Sequence, residues 1–206
     1  MIESIDDWVQ QTSVRLANLP RSRFSMWFAY VAERIMPLYE TFVRKHGWGD
    51  AHLLRQELDG IWLALGGVST GPNVESLARL DLITPEGEFF DSPDSTYAQD
   101  VVICVDASIR ALLANEKLEG EWSWFAVEPV DTMACERITG YLSVEGEERT
   151  HVESQIVKDF DVAAFLADLD DITDLLASDK EIDPELLRRR ANKNQLNPRQ
   201  YFDVYS

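Results

Sequence analysis

Cysteine is scarce in these 206 residues: only Cys104 and Cys135 occur, without C-x-x-C spacing or an adjoining histidine. That argues against a disulfide framework, a cysteine zinc site and a recognisable cysteine nucleophile, and points to reduced, buried thiols in a cytoplasmic protein. Histidine is equally sparse, at three residues. The one Glu-x-x-His spacing, Glu148 to His151, falls in a strongly hydrophilic stretch, whereas carboxylate-bridged metal centres in helical bundles use two such pairs. The G-x-S-x-G nucleophile elbow is missing, and "GVSTGPN" lacks the lysine and preceding strand of a phosphate-binding loop. Long apolar runs are missing too; none approaches the ~18 residues of a membrane span. The opening residues Met1 to Asp7 are acidic, with no basic region and no apolar core, and so do not read as a secretory leader. Internal repeats and linkers rich in Gly, Ser or Pro are absent, as is any convincing alternation of apolar and polar residues, which excludes a mainly β fold.

Positive charge is scarce in one region only. Residues 81–183 hold 26 acids and 6 bases, whereas residues 1–80 are nearly balanced with 9 and 8, and residues 184–206 hold 2 and 5. The chain's net charge of −18 therefore resides in its second half. Such a field repels nucleic acid and anionic membranes. It attracts a basic protein, or simply keeps the chain soluble.

What the chain does contain is helical periodicity, nearly throughout. A first helix is predicted over Ile5–Ala17, before Pro20, and a second over Ser22–Lys45. The second places Phe24, Trp27, Phe28, Val31, Ile35, Leu38 and Phe42 on one broad face, with Met26 and Tyr30 elsewhere, the mark of a central helix. Pro37 should kink it. Lys45, His46 and Gly47 form a good helix end, and Asp50 a good cap for a third helix through Leu65. Trp48, between Gly47 and Gly49, then plugs the joint. Further helices are expected over Val74–Leu82, Asp94–Lys117, Trp122–Leu142 and Gly146–Ala177 and from Asp183-Pro184-Glu185 onward, with Asn192–Ser206 as an extended tail. The expectation is a single all-α domain spanning residues 1–206, a bundle of about seven mostly antiparallel helices centred on the second and third.

Residues 16–65 carry Glu33-Arg34 with Pro37 and Tyr39, then Gly47-Trp48-Gly49-Asp50, then Leu58-Asp59 with Ile61-Trp62. In these motifs the chain resembles the YjaG-like family of uncharacterised bacterial proteins (domain of unknown function 416). A weaker likeness continues at Val105-Asp106-Ala107; some relatives carry cysteine where this chain has Ala32. The resemblance implies an all-helical bacterial cytoplasmic protein of this size, and it implies no catalytic residue.

Two sets of residues are candidates for function. The first is a polar cluster or pocket at the family-like positions Glu33, Arg34, Trp48, Asp50, Asp59 and Asp106. Each also has an ordinary reading: Asp50 as a cap, Asp106 paired with Arg110, and Arg34 partly buried and paired across helices. The second is the acidic arc of "DFDVAAFLADLDDITDLLASD", where Asp161, Asp168, Asp171 and Asp174 oppose Val162, Phe165, Leu166, Leu169, Ile172 and Leu176. It reads either as a solvated face or as a docking surface for a basic partner. The basic run Arg188-Arg189-Arg190 should face the chain's own acids. The leading reading is a non-catalytic interaction, regulatory or immunity-type protein without a cofactor. One alternative is a carboxylate-based metal-binding enzyme or sensor in which Glu33, Asp59, Asp106 and Glu136 converge. Another is a small-molecule pocket lined by Trp27, Trp48 and Trp62.

Overall fold

Several helices begin or end at identifiable caps. In the computed structural model, residues 4–86, 89–90, 92–113, 122–141 and 143–197 are described. Helix α1 (Ile5–Ala17) is capped by Ser4, whose side chain accepts from the Asp7 amide. Helix α2 (Arg21–His46) runs through Pro37 and stops at Gly47, whose φ of 64° is left-handed and whose amide donates to the Val43 carbonyl. Helix α3 (Ala51–Leu65) starts under an Asp50 cap, and α4 (Val74–Asp81) under a reciprocal Asn73–Ser76 capping box. Helices α5 (Pro93–Leu113), α6 (Trp124–Thr139), α7 (Gly146–Ile156), α8 (Phe160–Ala177) and α9 (Pro184–Lys193) follow.

The all-α class stands, but the described residues form nine helices rather than about seven. The expected segment from Gly146 to Ala177 is two helices. It breaks at 157–159, where the Asp159 side chain accepts from the amides of Asp161 and Val162 and starts α8 afresh. Helix α6 ends at Gly140, with φ of 79°, short of the expected Leu142. Residues 114–117 of the expected fifth helix lie outside the described residues. The expected tail is displaced as well. Residues 192–193 still belong to α9, and Gln195 and Leu196 lie against α2, where the Leu196 amide donates to the Arg34 carbonyl at 2.8 Å. Residues 198–206 lie outside the described residues.

Helix α2 is the axis of the protein. Every residue from Phe24 to Met36 is buried. Its most extensive partner is α5, and α3, expected beside it at the centre, also packs against it. Small residues allow that approach: the Ser25 and Ser108 hydroxyls meet at 2.7 Å, and Ser108 also donates to the Ser25 carbonyl. Buried Ala98, Val101, Val105 and Ile109 complete the α5 side of the contact. Helices α3, α8 and α9 cover other sides of α2, and this arrangement brings distant charged residues together.

Candidate functional site

The Gly47-Trp48-Gly49-Asp50 motif is wholly accounted for by packing. Trp48 sits edge-on to Phe42 and Phe90, with ring centroids 6.1 and 5.4 Å away. Gly49 has φ of 89°, and a β-carbon there would meet the Tyr39 hydroxyl at 2.7 Å. That hydroxyl donates to the Ile83 carbonyl and accepts from the Asp50 amide. Burial pushes its pKa up to about 12, so it stays protonated. Asp50 caps α3 through the Leu53 amide at 2.9 Å. Asp106 pairs with Arg110 one turn along α5. Trp48, Asp50 and Asp106 thus serve separate local contacts.

Glu33, Arg34 and Asp59 do come together, and residues from α9 join them. Fully buried Glu33 holds Arg55 of α3 at 2.6 Å through one carboxylate oxygen and Arg188 of α9 at 2.9 Å through the other. Arg188 also bonds Asp59. Beside them, Arg34 pairs with Asp168 of α8 at 2.9 Å and lies over the Phe165 ring, 4.1 Å from its centroid. Asp168 accepts from Tyr30 at 2.7 Å and from Arg190 at 2.7 Å. Burial first, and then the hydrogen bond to Asp168, hold the Tyr30 phenol protonated well above its ordinary range. The segment after α9 closes the cluster: the Gln195 side chain donates to the Glu33 carbonyl, and Arg34 donates to the Asn194 carbonyl. Local periodicity points to Arg34 and to the arginine run, but not to Arg55 or to the particular pairing of Arg188 with Glu33.

This arrangement binds helices to one another. Its carboxylates are neutralised by guanidinium groups, the pairing that makes buried charge tolerable. Among the described residues no group of three or more His, Cys, Asp or Glu is placed to hold a metal ion. Glu136 sits on α6, whose packing is chiefly with α5, α7 and α8. One buried carboxyl stands apart: Asp100, on α5, has an oxygen without a hydrogen-bond partner. Its pKa is raised by burial and then by the negative Glu128.

The acidic side of α8 is largely engaged from within. Arg15 of α1 reaches Asp170 at 2.9 Å and Asp174 at 2.5 Å, and Arg137 of α6 reaches Asp159 at 2.6 Å and Asp161 at 3.1 Å. Of the four candidate aspartates, Asp168 is largely covered within the cluster, its side chain 12% exposed, and Asp161 is half-buried beside Arg137. Asp171 and Asp174 remain 73% and 79% exposed. The acids continue outward through Asp179, Glu181, Asp183 and Glu185, all exposed.

A cleft of about 540 Å³ opens beside them, between α8 and α9. Leu175, Ile182, Leu186 and Leu187 give it apolar walls. None of Trp27, Trp48 and Trp62 lines it. Trp27 is instead fully buried, donating to Thr173 at 2.9 Å.

Three comparisons bear on this architecture. Residues 11–195 match the family described as "Protein of unknown function (DUF416)". The uncharacterised protein YjaG of Escherichia coli (strain K12) is 28% identical over 107 residues, which is 52% of this chain. The match spans only about half of that relative, 55% of its length. A crystal structure of a DUF416 family protein from Shewanella baltica OS155 superposes with a TM-score of 0.70 at 18% identity, covering 88% of this chain and 91% of that one. The last likeness is one of fold.

Proposed function

Since the chain belongs to the DUF416 family, whose description assigns no function, its role must be read from its own surface, and we propose that it is a non-catalytic interaction protein that presents an acidic surface to a basic partner. The observation that carries this reading is the exposure of its carboxylates. Glu33 and Asp168 face inward and are neutralised by arginines, whereas Asp171 and Asp174, each with one arginine contact, stay mostly exposed, and Asp179 and the acids of the turn before α9 also face solvent. A surface of this kind accelerates encounter with a cationic protein and repels nucleic acid. Its place is the cytoplasm, a reading supported by two buried free thiols. A regulatory or immunity-type role fits such a surface. A carboxylate-based metal site or an enzyme site draws less support, because Glu33, Asp59 and Asp168 are already paired with arginines.

The test is capture of partners on the immobilised chain, elution with salt, identification, and titration of each purified partner. The control is a variant with Asp171→Asn, Asp174→Asn and Asp179→Asn. Asp168 is left intact because its loss would break the cluster under α9. A basic partner bound at least tenfold more weakly by the variant, with affinity falling as salt rises, is the expected result. Partners bound equally by both forms would overturn the reading.

A further inference from the structure

The cleft between α8 and α9 has properties that the acidic surface alone does not explain. Helix α9 carries adjacent leucines that both border the cleft but differ in exposure. Leu187 is 3% exposed and also seats the helix on the core, while Leu186 is 63% exposed and faces the opening with Leu175 and Ile182. Charge around the opening is segregated. Glu181 and Asp183 lie at the end where α9 begins, and Arg189 and Lys193 lie toward the end where it stops. At 1.5 Å per residue, Asp183 and Lys193 are roughly 15 Å apart along the helix, about three turns.

Resting on the reading of the chain as an interaction protein, we infer that this cleft docks a short amphipathic helix of the partner. Its apolar face covers Leu175, Ile182 and Leu186, its basic end meets Glu181 and Asp183, and its acidic end meets Arg189 and Lys193. An apolar groove between helices suits a helical segment whose anchors recur at i, i+3, i+4 and i+7. The charge order then sets its direction, because reversing the segment would place like charges together at both ends. A fatty-acid-like anion would pair with Arg189 and Lys193 but would leave Glu181 and Asp183 at the other end without a cationic partner.

The experiment pans a displayed library of amphipathic helices of about four turns against the full chain. Enriched peptides are then titrated against wild type and three variants. Leu186→Asp changes an exposed residue, so its thermal midpoint should stay near that of wild type, and Leu186→Ala serves as a milder counterpart. The third variant combines Arg189→Glu with Lys193→Glu. The expected result is peptides with one apolar face and segregated charge, bound about tenfold or more weakly by Leu186→Asp. The double charge variant should also bind them weakly and regain binding when the peptide's acidic end is replaced by lysines. Enrichment of purely basic peptides, insensitive to Leu186 but lost with Asp171→Asn and Asp174→Asn, would overturn the cleft while leaving the acidic-surface reading standing. No enrichment at all would overturn both. Self-association of the chain that Leu186→Asp abolishes would assign the cleft to a second copy and overturn the proposal as well.

Discussion

Glu33 is a carboxylate without access to water, and its two oxygens are engaged by Arg55 and Arg188. Neutralising it leaves Arg188 with Asp59 alone and Arg55 with only the distant Glu40 at 3.9 Å. Breaking a buried pair costs on the order of 3–5 kcal/mol, and the partial exposure of both arginines favours the lower end. Glu33→Gln should therefore lower unfolding stability by about 3 kcal/mol in urea denaturation, whereas Arg189→Ala should stay within about 0.5 kcal/mol. Equal effects would show that the cluster contributes little. Asp100 acts in the opposite sense. Burial, and then Glu128, keep its carboxyl protonated to a pH above its ordinary value of about 3.8, at which the unfolded chain releases that proton. Across this window the native state holds the extra proton, so stability falls as pH rises until the native carboxyl also ionises. Asp100→Asn should be at least as stable as the parent near neutral pH and show a shallower decline above about pH 4. Glu128, Asp131 and Glu153, also raised mainly by burial, keep some slope in place. An unchanged slope would mean that Asp100 ionises normally. At this scale the sequence discloses which residues are unusual, such as the Glu33-Arg34 pair on an apolar helix. It does not disclose their partners, because Glu33 and Arg188 lie 155 positions apart and no local pattern links them.

Helix α9 shows what an element gains from such pairs. Only Leu187 and Ala191 of its ten residues are buried, and the helix is otherwise attached by Arg188 and Arg190. Regions with few apolar contacts open at lower free energy than the core. Leu187→Ala should remove about 2–3 kcal/mol of that attachment, raising amide exchange within α9 roughly 30-fold or more. Amides of α2 between Trp27 and Ile35 should change far less under native-state hydrogen exchange. A uniform rise across both helices would show that α9 opens only with the whole protein. The elements themselves were legible where caps and periodicity agree, as at Gly47, Asp50 and Asp183. They were not legible where one signal hid inside another. The Asp159 cap lies within a run of aspartates, so α7 and α8 read as one helix. The dominance of α5 over α3 as the partner of α2 depends on Ser25 and Ser108 meeting, a tertiary event that periodicity does not contain.

For the whole molecule the question is whether salt strengthens or weakens the fold. The acids of residues 81–183, 26 against only 6 bases, give a net repulsion in the compact state. Against that stand the ion pairs of α8 and α9. Their exposed members, including Asp174 with Arg15 and Asp171 with Arg190, are worth roughly 0–1 kcal/mol each and are readily screened. The buried ones, Glu33 with Arg55 and Arg34 with Asp168, are screened much less. Screening therefore removes more repulsion than attraction, because repulsion acts among many exposed acids and the strongest attractions are shielded from solvent. The thermal midpoint should rise as NaCl increases from about 10 mM, where the screening length is ~30 Å, to about 0.3 M. A variant with Asp171→Asn, Asp174→Asn and Asp179→Asn should start from a higher midpoint at low salt and gain less from added salt. A midpoint that falls with salt would mean instead that the surface pairs outweigh the repulsion. The acids left outside them would then have a smaller field with which to attract a basic partner.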